Sequence, residues 1–249
     1  MINEPFANTT SWIHKRNPQV KVIFAIAYSV VVALSNSFSA LISALVVSII
    51  LIYLSKLNIG KVIKRLAVVF WFLLITWVAL PITFEGEPLC KIGPFVITKP
   101  GVVLSLQITF KSTAILLSFM ALIATMTVAT LGHCLYCLKI PPKFVLLLLM
   151  TYRYLFVIEE EYQRLWTAIQ IRGFRSKTNI HSYKTFAYLI GMLFVRASIR
   201  AKRVHQAMLC RGFKGRFYSL ESHTFSGQCW IFSIFMLIVL TCLIILECT

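Results

Sequence analysis

Three groups of side chains have the types and spacing for chemistry. The first is a pair of arginines. Thr167–Phe174 reads TAIQIRGF and Gln206–Phe213 reads QAMLCRGF. Aligned, the two match at Ala168/Ala207, Arg172/Arg211, Gly173/Gly212 and Phe174/Phe213, at a constant offset of 39 residues. A guanidinium keeps its charge and offers a planar fork of donors that suits a carboxylate. The chain has 8 acidic residues, all Glu, and no Asp. Two matched forks in so acid-poor a chain point to carboxylates on another protein. The second group is Glu159, Glu160 and Glu161, the best acid–base candidate if the chain were an enzyme. The third is HCLYC at 133–137, where His133, Cys134 and Cys137 are types that ligate a soft divalent ion. No second pair stands at zinc-site spacing, and His14, His181, His205 and His223 are scattered. The expectation is packing cysteines at a helix boundary, with no metal site, no cofactor and no catalytic residue.

The elements that position these groups belong to a membrane protein. The 249 residues are 59% hydrophobic, and the mean hydropathy is +0.82. A soluble domain of this length could not bury that much apolar surface. Lys and Arg number 25, for a formal net charge of +17. That balance suits nucleic acid or an anionic membrane face, and the apolar runs decide for the membrane. The stretch before Val20 is polar and no cleavage site follows a short apolar core, so the first helix is expected to stay as an uncleaved anchor. The seven cysteines form no disulfide framework.

Apolar runs cover Val20–Leu34, Ala40–Leu54, Leu66–Ile82, residues 101–131 and Trp230–Leu246. Segment 83–100 is rich in Gly and Pro and reads as a loop. Lys15, Arg16 and Lys21 precede the first crossing; Lys56, Lys61, Lys64 and Arg65 lie in the second connection; segment 132–227 carries 15 Lys and Arg. Basic loops stay cytoplasmic, so the loops alternate, the N-terminus lies inside and the C-terminus outside after five crossings. The run 144–158 continues into EEEYQRLW and is expected to skim or dip rather than cross. Lys111 reads as a lysine snorkelling near the outer end of the fourth run.

Between these runs lies an amphipathic segment. Leu155, Ile158, Tyr162, Leu165 and Ile169 form one helical stripe. Phe186, Ile190, Leu193, Ala197, Ala201, Val204 and Met208 form a second, with Arg196, Arg200 and Arg203 on its other side. Each stripe is expected to pack on its partner or on the membrane. Each helix is expected to end at an Arg-Gly pair, glycine in the left-handed cap and arginine in the last turn. Ala168 and Ala207, four residues earlier, leave room for close approach of another surface, and Phe174 and Phe213 can anchor the tips.

Paired IRG (171–173) and CRG (210–212) elements resemble the coupling motifs of the T component of energy-coupling factor transporters. HKRNPQVK (His14–Lys21) is similar to that family's entry to its first helix, and YLIGMLFVRASIRAKRVHQAMLCRGFKG (188–215) resembles the cobalt- and nickel-type subunit, the cobalt transport Q subunit family. The first motif has Ile171 where Ala is commoner in the family, and the second has Cys210. The resemblance implies a subunit that links two cytoplasmic ATP-binding cassette ATPases to a substrate-capturing membrane subunit. Ile171, Arg172, Gly173 and Cys210, Arg211, Gly212 would then form the ATPase-coupling tips. ATP hydrolysis would lie in the partners, and the transported ion would be bound by the substrate subunit. No Walker A sequence is present.

The sequence thus leads to an all-α integral membrane protein with about five transmembrane helices and a cytoplasmic pair of long amphipathic helices. Residues 1–131 would form the N-terminal membrane helices, 132–227 the coupling domain and 228–249 the last membrane helix. The expected place is the inner, or cytoplasmic, cell membrane, crossed several times. The expected partners are the two ATPases, the substrate-capturing subunit and the lipid bilayer, with no nucleic acid. The expected cargo is cobalt ahead of nickel. The competing classes are an integral-membrane enzyme and a basic membrane-surface binding protein.

Overall fold

The structure is a computed structural model that describes residues 17–84, 88–92, 95–215 and 227–248, with the backbone alone for 88–92, 95–97, 227–229, 231 and 248. His14–Arg16 of the entry motif and Thr249 lie outside the described residues. Contacts divide the chain into two compact units, Glu4–Cys134 with Ser222–Thr249, and Leu135–Glu221.

In the first unit, α1 (Pro18–Leu34) begins where Asn-Pro requires. Asn17 Oδ1 accepts the Gln19 N–H at 3.0 Å, and proline occupies the first helical position, where its missing N–H costs nothing. Ser35–Ser37 separates α1 from α2 (Phe38–Leu54). Asn58 caps α3 (Ile59–Thr83) by accepting the Gly60 N–H at 3.1 Å. The stretch read as a loop holds a small antiparallel hairpin, β1 (Pro88–Ile92) and β2 (Phe95–Thr98), with Lys91 opposite Val96 and Ile92 opposite Phe95. Its Gly and Pro hid two short strands.

The fourth apolar run divides. α4 (Lys99–Leu122) ends before Thr127, whose hydroxyl accepts the Thr130 N–H and opens α5 (Val128–Cys137). That N-cap interrupts a run that hydropathy alone reads as continuous. The last helix of the chain, α8 (Gly227–Cys248), returns to this unit.

α3 and α4, at 25 and 24 residues, are long enough to cross a bilayer, while α1 and α2 at 17 residues lie at the short limit. α4 packs against α1, α2 and α3, and α8 packs against α1 and α2. Small residues alternate with large ones in the interior: Ala25, Ala44, Ala114 and Ala121 are buried beside Leu41, Leu51 and Leu122. Small side chains let helix backbones approach closely, which drives association where lipid removes the hydrophobic incentive. The Tyr28 hydroxyl donates to the Ala44 carbonyl at 2.6 Å, tying α1 to α2. Large apolar side chains on α3, including Trp71, Val68 and Phe72, point outward. This is an all-helical membrane protein with one small hairpin.

Lys111 donates to the Ala33 carbonyl and to Asn36 Oδ1, both at 3.0 Å. Its charge therefore sits at the negative C-terminal end of α1. From the other side Glu247 accepts the Asn36 N–H at 2.7 Å and the Ser37 N–H at 3.2 Å, next to the N-terminus of α2. The charge-free 35–37 loop is thus held by a cation and a carboxylate from helices far away in sequence.

Candidate coupling site

The second unit is dominated by α6 (Pro142–Ile171) and α7 (Ile180–Cys210), of 30 and 31 residues. Pro142 at the first turn starts α6. The run 144–158 and the EEEYQRLW stretch are one continuous helix, so the apolar half leads into the charged half without a break.

Both helices end in the same way. Gly173 has φ +79° and Gly212 φ +77°. At the first tip the Gly173 N–H donates to the Gln170 carbonyl at 3.0 Å and the Phe174 N–H to Ile169 at 3.3 Å. At the second, Gly212 donates to Leu209 at 2.9 Å and Phe213 to Met208 at 3.0 Å. These are two Schellman caps, in which a left-handed glycine lets the chain satisfy the last helical carbonyls. Arg172 and Arg211 are the C-cap residues of the two helices, and both are exposed. Ile171 is 81% exposed, and Ala168, Ala207 and Cys210 are exposed too, whereas Phe174 and Phe213 are half-buried.

The two helices run antiparallel. Trp166 stacks on Phe186 with ring centroids 5.8 Å apart. Phe174 meets Phe186 edge-on at 5.8 Å and Trp166 at 6.4 Å. Further along, Arg196 donates to Glu161 Oε1, and Arg200 and Arg164 lie 3.9 Å from Oε2. Increasing number on α7 thus meets decreasing number on α6. The first tip folds back on the first turns of α7, and the second lies at its far end. At 1.5 Å per residue, that stretch of helix separates the tips by roughly 40 Å. The repeat is therefore not one composite site but two matched ends.

The faces differ in detail from the stripes read in the sequence. On α6 the half-buried side carries Tyr154, Val157, Glu161 and Leu165, while Leu155, Ile158 and Tyr162 are exposed. Leu165 and Ile169 of the predicted stripe are half-buried; only its first half is turned by about one residue, which brings Glu161 to the arginines of α7. On α7 the stripe holds for the most part: Phe186, Leu193, Ala197, Val204 and Met208 are half-buried, Leu189 is buried beside them, and Ile190 and Ala201 are exposed. Of the acidic triplet only Glu161 has an ion pair among the described residues. The Arg196 hydrogen bond holds its carboxyl below the usual carboxylate range, against the opposing effect of desolvation.

His133, Cys134 and Cys137 lie on α5, with Cys134 buried and Cys137 exposed. Among the described residues no three His, Cys, Asp or Glu side chains are grouped to hold a metal ion. Sequence reasoning passed over Met150, Arg153, Tyr154 and Lys214, which line a groove of about 710 Å³ beside Arg211. The available signal was Arg153, a cation inside the apolar run 144–158.

Residues 9–223 match the family model described as CbiQ, cobalt transport protein. The chain belongs to that family. It is 26% identical over 220 residues to the energy-coupling factor transporter transmembrane protein EcfT of Leuconostoc gelidum subsp. gasicomitatum, covering 84% of this chain and 82% of the relative. The EcfT of Bacillus subtilis is 26% identical over 226 residues, with 86% and 85% covered. The cobalt transport protein CbiQ of Salmonella typhimurium is 24% identical over 215 residues, with 83% and 94% covered. As a family member the chain is the transmembrane component of an energy-coupling factor transporter. It is not the enzyme of that complex, and ATP hydrolysis belongs to partner subunits.

Proposed function

We propose that this chain is the energy-coupling subunit of an importer for a divalent transition metal, cobalt ahead of nickel. It passes the ATP-driven motion of two cytoplasmic ATPases to a substrate-capturing membrane subunit. The observation that carries this reading is the pair of matching caps at opposite ends of one antiparallel helix pair. Each cap presents an exposed arginine with no ion pair among the described residues. A separation of roughly 40 Å suits two docking sites on two subunits better than one. Residues 132–227 act as the coupling domain, with Ile171, Arg172 and Gly173 at one ATPase and Cys210, Arg211 and Gly212 at the other. Ala168 and Ala207 allow close approach, and Phe174 and Phe213 hold the tips.

Cobalt is supported by the description of the family and by the Salmonella relative's name. The charge asymmetry of the loops supports five crossings of the cytoplasmic membrane with the N-terminus inside. The test is uptake of labelled cobalt and of labelled nickel by cells that make this chain with its ATPases and substrate subunit. ATP-dependent cobalt uptake that exceeds nickel uptake and needs this chain is expected. Uptake of neither ion, with the complex assembled, would overturn the assignment of cargo.

A further inference from the structure

The two tips share a backbone but not a surface. At the first, the space beside Phe174 is filled by its own neighbours: Trp166 and Phe186 meet it edge-on, and His181 lies at 6.5 Å between ring centroids. At the second, the corresponding side is a groove of about 710 Å³ between the early turns of α6 and the last turns of α7. Its apolar walls include Met150, Val204, Met208 and Phe213. Its cations are Arg153, Arg211 and Lys214, and among the described residues no acidic side chain lines it. None of the three has an ion pair among the described residues.

We propose that the second Arg-Gly tip is a receptor as well as a plug. Its groove takes an acidic segment of one partner ATPase, with a carboxylate against Arg153 and Lys214 and an apolar side chain between Met150, Met208 and Phe213. The inference rests on the coupling reading above and adds a second, reciprocal contact to it. Charge complementarity decides the occupant: three cations with no carboxylate among the described lining residues favour an anion, and the chain's own acids number only 8. Continuity decides its source, because Arg211 belongs both to the tip and to the groove. Whatever accepts its guanidinium has the groove directly beside it. The volume falls within the ~300–1,000 Å³ of ordinary ligand pockets, which fits a short segment rather than a single side chain. Two methionines give walls that adapt to the entering residue. At the first tip the space beside Phe174 holds Trp166 and Phe186, so the exchange is assigned to the second tip alone.

The test uses the complete complex purified with its ATPases. Arg153→Glu reverses one charge of the groove, Arg153→Gln removes it gently, and Ala207→Phe fills the groove from an exposed position. Lys64→Glu, an exposed reversal on α3, outside the unit that holds both tips, is the control. Arg153→Glu and Ala207→Phe are expected to weaken ATPase retention at least about tenfold, as loss of one partner of a desolvated charge pair does. Arg153→Gln should fall between, and the control should stay within about twofold, as for an exposed charge. A photo-crosslinker at Tyr154 should capture one ATPase subunit at an acidic segment. If Arg211→Ala releases the ATPases but the groove variants do not, the receptor is wrong and the coupling reading stands. If neither Arg172→Ala nor Arg211→Ala affects retention, the coupling reading fails and takes this inference with it. If Arg153→Glu keeps the ATPases but removes a dependence of activity on phosphatidylglycerol vesicles over phosphatidylcholine vesicles, the groove holds a lipid and the proposal is overturned.

Discussion

Glu161 is the residue on which the pairing of α6 and α7 turns. Its side chain is only 14% exposed and faces Arg196, Arg200 and Arg164. Its carboxyl, ordinarily near 4.5, is lowered chiefly by the Arg196 hydrogen bond. A group whose folded pKa is depressed contributes stability above its unfolded value and loses it as pH falls through the folded value. The contact is therefore whole at neutral pH and is lost only in the acid range below about 4.5. Spin labels placed on the two helices should report a constant separation from pH 8 to 5, and a broadened one in more acidic solution. Glu161→Gln should show the broadened distribution at every pH. A distance that responds to acid equally in the Gln variant would assign the effect to another group. The sequence showed an acidic triplet and a basic face. Which acid would pair depended on helix rotation, which the apolar spacing of Leu155, Ile158 and Tyr162 placed about one residue away.

At the scale of elements, two kinds of glycine give opposite predictions. Gly173 and Gly212 have left-handed backbones, and a Cβ at either would meet nothing within 4 Å. Ala at either costs only backbone strain, about 1–2 kcal/mol, spent at the helix tip. Gly101, in the first turn of α4, lies against the end of α3. A Cβ there would come 2.7 Å from Pro81 Cα and 2.8 Å from the Leu80 carbonyl oxygen. Both neighbours are backbone, so α3 and α4 must separate, an overpacking cost of about 1–3 kcal/mol. Thermal unfolding in detergent should fall further for Gly101→Ala than for Gly173→Ala and Gly212→Ala, whose strain is relieved by local fraying of the tip, while the latter two lower ion uptake. Equal melting losses for all three would mean that the tips are part of the stable core. The caps were legible because Arg-Gly-Phe occurs twice at a fixed offset. The Gly101 contact was not, because it joins elements through a hairpin whose strands carry loop-like residues. The break between α4 and α5 was also hidden, since one threonine hydroxyl outweighed a continuous apolar run.

At the scale of the molecule, the apolar runs and the composition were enough to read a helical membrane protein, and the family match agrees. Loop charge predicts an orientation for it, with basic loops cytoplasmic. A reporter fused at Thr249 should read outside and one within 174–182 should read cytoplasm. A cytoplasmic Thr249 would mean an even number of crossings, with 144–158 as the extra one. What the sequence could not supply was the relation of the two Arg-Gly copies, which depends on the antiparallel course of α6 and α7. The antiparallel pair gives the repeat two separate ends, and we propose that each holds an ATPase through its arginine. The most direct measurement is the affinity of the purified membrane subunit for its ATPases in the parent, Arg172→Ala, Arg211→Ala and the double variant. Each single change should weaken binding at least about tenfold, as truncation of one partner of a desolvated charge pair does. Arg→Lys should restore only part of it, since an ammonium lacks the planar fork, and the double variant should not retain the ATPases. A double variant that binds them with parental affinity would contradict the account and leave the two tips as ordinary helix caps.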